Sequence, residues 1–127
     1  MPHFIIDCSR EILQERTAEE IMNAVYETAD STELFAANDI KVRLRPFEYY
    51  QLGKSKKNFI HIFGYIMEGR STGQKANLSR LIIKRMVELF PETSFVSMNI
   101  FDFDFDTYCN RSLINPENKN NDRHFEL

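Results

Sequence analysis

The sequence predicts an α/β fold: a two-layer sandwich of two β-α-β units, with a four-stranded sheet and two helices on one face. Three observations lead there. A strand-like run, a capped amphipathic helix and a second strand-like run occur in that order. The same order then recurs once, at a period of roughly 55 residues and without residue-level identity between the halves. A strand-helix-strand unit needs a crossover, so each half supplies a parallel strand pair, and four strands with two helices form a two-layer sheet.

Phe4, Ile5 and Ile6 open the chain as an apolar run too brief for a helix and rich in branched and aromatic residues, which reads as a strand. Thr17 and Glu20 form a capping-box pattern, and Ile21, Ala24, Val25 and Thr28 follow at helical spacing, predicting a helix from about Thr17 to Ala29. From Ile40 to Arg45 the sequence alternates, with Ile40, Val42 and Leu44 on one face and Lys41, Arg43 and Arg45 on the other. Pro46 is expected to limit further pairing. The polar segment Gly53 to Asn58 carries three lysines and reads as the connection between a first half, residues 1–52, and a second, residues 58–106. Phe59 to Met67 is then a long strand. Ser71 and Gln74 repeat the capping box, Leu78, Ile82, Met86 and Leu89 line a helix closed by Pro91, and Phe95 to Phe105 supplies the fourth strand. The remainder, residues 107–127, reads as a C-terminal arm with Leu113, Ile114 and Phe125 as anchors.

With 127 residues, 43% of them hydrophobic and 28% charged, the chain fits one folded domain rather than a disordered or membrane protein. A formal charge of -3 excludes a bulk positive field for a nucleic-acid backbone, so any anion site must be local. Two cysteines, Cys8 and Cys109, are too few for a stapled secreted scaffold, and their lack of a CxxC partner favours buried thiols over nucleophiles. No run suits a signal peptide or a membrane span, so a reduced, cytoplasmic protein is the simplest reading.

A sheet with helices on one face should alternate, yet Phe4 to Ile6 and Phe59 to Ile62 are apolar at successive positions. In the last strand Val96, Met98 and Ile100 share one face while Phe101, Phe103 and Phe105 take the other. Both faces therefore need cover, and a second copy of the chain is expected to supply it.

Among residues that could do chemistry, Pro2 stands first. Removal of Met1 would leave a secondary amine at the start of a buried strand, where burial and nearby cations lower its pKa toward neutrality and suit it to carrying a proton. The plainer alternative is a proline that merely opens a strand. Lys41, Arg43 and Arg45 lie about 6 to 7 Å apart along one strand face, a spacing comparable with the carboxylates of a small polyacid. The plainer alternative is a solvated strand face or a salt-bridged subunit contact. Arg70 precedes the Ser71 cap, where a helix N-terminus favours an anion. Asp102, Asp104 and Asp106 form a same-face row without the loop or Gly of a calcium site, and His3, His61 and His124 lack metal-ligand spacing. The glycines fit neither a phosphate loop nor a dinucleotide fingerprint, and no metal is implied.

The opening Met1-Pro2-His3-Phe4-Ile5-Ile6-Asp7-Cys8-Ser9, the strand Phe59-Ile60-His61-Ile62 and the junction Gly69-Arg70-Ser71 resemble the 5-carboxymethyl-2-hydroxymuconate Δ-isomerases of the tautomerase superfamily. The resemblance covers about residues 2–106. It implies paired β-α-β units assembled as a homotrimer with inward-facing sheets, and a cofactor-independent isomerase that shifts a proton on a conjugated enol polycarboxylate. It also implies Pro2, freed of Met1, as general acid/base and Arg70 as a substrate-binding residue. The family's other substrate-binding arginine falls at Lys41, which cannot form an arginine's bidentate fork, and Arg43 on the same face is the candidate to replace it. A non-catalytic anion- or partner-binding module of the same fold, or a tautomerase for another enol acid, stand as alternatives.

Overall fold

The structure, a computed structural model, describes residues 1–114. Four strands, β1 (His3–Ser9), β2 (Lys41–Phe47), β3 (Phe59–Met67) and β4 (Phe95–Phe103), form one sheet in the order β2-β1-β3-β4. β1 runs parallel to β2 and β3 parallel to β4, as the crossovers require, while β1 and β3 meet antiparallel at the centre. Helices α2 (Ala18–Ser31) and α3 (Thr72–Leu89) pack on β2 and β4 and against each other. Two short helices, α1 (Ile12–Glu15) and α4 (Arg111–Ile114), and a 3₁₀ turn (Ala37–Asp39) complete the described elements. None of the described helices is long and apolar enough to cross a membrane.

Both long helices start where a reciprocal capping box satisfies N–H groups that have no partner inside the helix. Thr17 Oγ1 accepts from Glu20 N at 3.1 Å while Glu20 Oε1 accepts from Thr17 N. Ser71 Oγ accepts from Gln74 N at 3.1 Å while Gln74 Oε1 accepts from Ser71 N at 2.8 Å. The buried stripe of α2 is Ile21, Ala24, Val25 and Ala29. Thr28, expected on that stripe, instead donates its hydroxyl to the Ala24 carbonyl. On α3 the stripe is Leu78, Ile82 and Met86, with Leu89 half-buried. These residues close on Phe4, Ile6, Ile60, Ile62 and Ile66 from one face of the sheet, so both helices lie on that side.

Four expectations are corrected. Pro46 does not end the pairing: β2 runs on to Phe47, with Pro46 in register with Cys8, because β2 is an edge strand and a missing N–H is tolerated there. β4 stops at Phe103, so Phe105 lies outside it, and the Asp102, Asp104 and Asp106 row is broken. Asp104 turns the chain instead, its carbonyl accepting from Thr107 N and Tyr108 N and its Oδ1 from Asp106 N. Cys109 is exposed rather than buried. The anchors Leu113 and Ile114 are exposed on α4, whereas Phe125 and His124 lie outside the described residues.

The sheet's second face is half-buried, and among the described residues its cover is ring stacking, its own and that of Tyr108 on Phe103 at 6.0 Å. Tyr65 stacks on Phe101 at 5.2 Å, Phe63 on Phe101 at 6.4 Å, and Phe103 meets His3 edge-on at 6.0 Å. Phe101 is still 43% exposed. On the helix side the fit is close at Gly64, where an added Cβ would stand 2.8 Å from Ile100 Cδ1, 3.0 Å from Met98 Cε and 3.3 Å from Phe4 Cε1. Two of those atoms end flexible side chains, so Gly64→Ala is expected to destabilise by about 1 kcal/mol, the low end for overpacking, in urea unfolding.

Candidate functional site

The antiparallel β1–β3 pairing places the start of β1 beside the end of β3, since His3 is in register with Tyr65. The parallel pairs bring the start of β2 and the end of β4 to the same end of the sheet, on its two opposite edge strands. Pro2, Lys41 and the α3 N-terminus therefore gather at one end of the sheet. Lys41 N donates to the Pro2 carbonyl at 3.1 Å, and both Met1 and Pro2 are buried.

Arg70 reaches this end through Gly69, whose φ of 119° is a conformation that residues with a Cβ rarely adopt. The Arg70 residue is only 9% exposed. Its Nη2 donates to the Leu34 carbonyl at 2.5 Å and its Nη1 to the Met67 carbonyl at 3.3 Å. Its Cζ lies 5.0 Å from the centre of the Phe35 ring. Burial lowers the Arg70 pKa, against the raising effect of the Asp102 charge, but an arginine starts so far above neutrality that the group stays cationic. Two of five N–H groups are engaged by the carbonyls, which leaves donors for a carboxylate.

The cation row of β2 divides. Lys41 turns back so that Nζ donates to the Asp39 carbonyl at 2.9 Å, the same oxygen that the Met1 amino group approaches at 3.5 Å. Arg43, on the same sheet face, donates from Nη1 to His3 Nδ1 at 2.9 Å and borders a cleft of about 300 Å³ with His3, Ile5, Tyr65 and Phe103. Arg45 forms a two-pronged pair with Asp7, Nε to Oδ1 at 2.7 Å and Nη2 to Oδ2 at 3.1 Å. Arg45 is thus paired within its own chain, to β1. His61 is likewise a hydrogen-bonded imidazole, 2.7 Å from Ser97 Oγ.

Two residues of this corner are not marked out by the sequence. Asp39, 1% exposed in a 3₁₀ turn (Ala37–Asp39), reads from the sequence as a polar loop residue. Phe35 reads as an isolated aromatic in a connection, yet it is 8% exposed and lies under Arg70. An apolar residue inside a predicted loop is the one hint available for it.

A family model for 5-carboxymethyl-2-hydroxymuconate isomerase matches residues 2–116. The chain belongs to this family. The fold is that of the tautomerase superfamily, and family membership marks the chain as an isomerase. A 5-carboxymethyl-2-hydroxymuconate isomerase from Deinococcus radiodurans R1 superposes with a TM-score of 0.76 at 18% identity, covering 87% of this chain and 88% of that one. A fused 4-OT protein solved as a wild-type symmetric trimer gives 0.68 at 18% identity, with 84% and 91% covered. A macrophage migration inhibitory factor-like protein from Entamoeba histolytica gives 0.66 at 13% identity, with 86% and 94% covered. At such identities these likenesses speak for the fold alone. No curated protein sequence matches the chain.

Away from this corner, Cys8 is fully buried on the helix side of β1, and burial, with the Asp7 charge adding to it, pushes the thiol up to about 11. A thiol whose folded pKa lies above its ordinary value of 9.0 keeps its proton where the unfolded chain has lost it. Stability should accordingly fall as pH rises from about 9 to about 11, and Cys8→Ala should flatten that decline in chemical unfolding. At pH 8 a thiol reagent is expected to label Cys109 alone in the native protein, and rapid labelling of both would contradict the burial of Cys8.

Proposed function

We propose that the chain is a cofactor-independent isomerase that moves a proton on 5-carboxymethyl-2-hydroxymuconate or a similar enol polycarboxylate. The observation that carries this reading is the convergence of the buried chain start, Lys41 and Arg70 at one end of the sheet in a member of this isomerase family. With Met1 removed, the Pro2 nitrogen becomes a secondary amine in a cation-rich, desolvated setting that lowers its pKa, so that the neutral form is accessible near pH 7. That amine takes a proton from the dienol, and the resulting ammonium returns it to a more distant carbon, giving the conjugated keto isomer. Arg70 holds a substrate carboxylate and, with Lys41 or Arg43, stabilises the negative charge that builds up in the intermediate.

The aromatic outer face of the sheet supports assembly as a homotrimer in which neighbouring sheets cover one another, and the structurally similar fused 4-OT protein is itself a symmetric trimer. A cytoplasmic setting fits such an enzyme.

A second reading, a non-catalytic binding module, is favoured by one feature. Met1 is only 4% exposed and its amino group faces the Asp39 carbonyl, so a retained Met1 is well accommodated. A retained Met1 leaves the Pro2 nitrogen as a tertiary amide without basicity. Intact-mass spectrometry of the cellular protein distinguishes the two, and the enzyme reading expects the mass without Met1. In that form Pro2→Ala should lower kcat for enol isomerisation about 10²- to 10⁴-fold with the oligomer unchanged. Arg70→Ala should raise KM for a dicarboxylate enol about 10- to 100-fold and that for a monocarboxylate enol far less. Equal losses on both substrates would remove Arg70 from its assigned role. Gel filtration with light scattering should return three times the 15.0 kDa chain mass, and a monomer would refute the sheet-face assembly.

A further inference from the structure

The connection from α2 to β2 is built around Arg70. At the end of α2, Thr32 N–H bonds the Ala29 and Asp30 carbonyls, and Glu33 then takes φ 60°, left-handed and unusual for a residue with a side chain. This reversal delivers two consecutive residues to one target. The Leu34 carbonyl accepts from Arg70 Nη2, and the next residue, Phe35, sets its ring against the same guanidinium. Met67 at the end of β3 supplies the other carbonyl.

The two carbonyls hold the guanidinium's outer nitrogens but leave the group free to pivot about the line between them. The Phe35 ring, its centre 5.0 Å from Cζ, limits that movement. Phe35 is itself held, since the Phe4 ring meets it edge-on at 6.1 Å and 73°. Phe4 lies on β1, two residues beyond Pro2, so one packed series fixes the cation relative to the chain start. A fork-on-fork contact with a carboxylate needs the guanidinium in a single orientation, and a loose one loses the second hydrogen bond. A cleft of about 250 Å³ lined by Glu33, Leu34, Phe35 and Ala36 opens against the same turn, so the turn is not sealed in core.

We infer that Phe35 is a positioning residue for Arg70, fixing the guanidinium for two-point capture of a substrate carboxylate and so setting the preference for dicarboxylate over monocarboxylate enols. The inference rests on Arg70 binding substrate, as proposed above. The test compares steady-state isomerisation of a dicarboxylate and a monocarboxylate enol by wild type, Phe35→Leu, Phe35→Tyr, Arg70→Ala and the Arg70→Ala/Phe35→Leu double variant. Phe35→Leu keeps an apolar side chain without the π face, and Phe35→Met serves in its place if the leucine variant does not fold. The expected result is a KM for the dicarboxylate raised about 5- to 10-fold, kcat within about twofold, and the monocarboxylate unaffected. Phe35→Tyr should restore wild-type values, and Phe35→Leu should add nothing once Arg70 is gone. A Phe35→Leu variant that impairs both substrates alike, or keeps its full effect in the Arg70→Ala background, overturns the inference and leaves Arg70's role intact. An Arg70→Ala variant that loses equally on the dicarboxylate and the monocarboxylate overturns the substrate-binding reading of Arg70 itself, and the Phe35 assignment with it.

Discussion

The antiparallel pairing of β1 with β3 is the constraint on which the rest of the molecule depends. Each β-α-β half is locally determined: a strand, a capped helix, and a parallel strand laid beside the first. The first half on its own brings the chain start beside Lys41 but not to Arg70. Joining them antiparallel, with His3 opposite Tyr65 and Cys8 opposite Ile60, sets the beginning of one half against the end of a strand from the other. Since side chains alternate along a strand, a slip of one residue would turn Phe4 and Ile6 outward and send His3 into the core. The same register puts Pro2 near the end of β3, from which Gly69 and Arg70 lead into α3. Packing of the central strands therefore fixes the site as well as the fold.

Most of this is legible from residue patterns, because the signals are local. Thr17 with Glu20 and Ser71 with Gln74 mark both helix starts through bonds that span three residues, and the alternation from Lys41 to Arg45 marks a strand with sorted faces. The parallel pairs follow from the length of the crossovers. What the patterns miss is non-local or competes with a stronger local rule. Pro46 reads as a stop because a proline cannot donate, but an edge strand does not need that donor. Continued alternation through Phe105 conceals the turn that Asp104 makes with its own backbone neighbours. Ile12 gives no helical period because its helix is a single turn.

The site divides along the same line. Pro2, Lys41, Arg43 and Arg70 stand out because a proline directly after Met1, a row of cations and a helix entrance are chemical features of residue type and spacing. Their engagement is not readable in that way. Nothing in the spacing of Lys41, Arg43 and Arg45 tells that the third pairs with Asp7, that the second meets His3, or that the first folds back to Asp39, since those partners come from β1 and a turn. Asp39 and Phe35 escape notice because burial of a loop residue is decided by what the tertiary structure lays over it.

Charge at this corner bears on the proposal that an overall acidic chain holds an anion. The formal charge of -3 is spread over a wide surface where water and salt screen it. Arg70 is largely removed from that water, so its interactions weaken less with distance and salt than those of an exposed cation. The nearest acidic influence on it, Asp102, is occupied by Lys75 at 3.0 Å, which turns much of that negative charge away. Desolvating a cation is unfavourable, and the Leu34 and Met67 carbonyls and the Phe35 ring offset only part of that cost with partial charges. On the proposed reading, an arriving carboxylate supplies the full counter-charge that these partial charges do not. A buried arginine held mainly by carbonyl dipoles and a ring then keeps much of its attraction for an anion until that ligand binds.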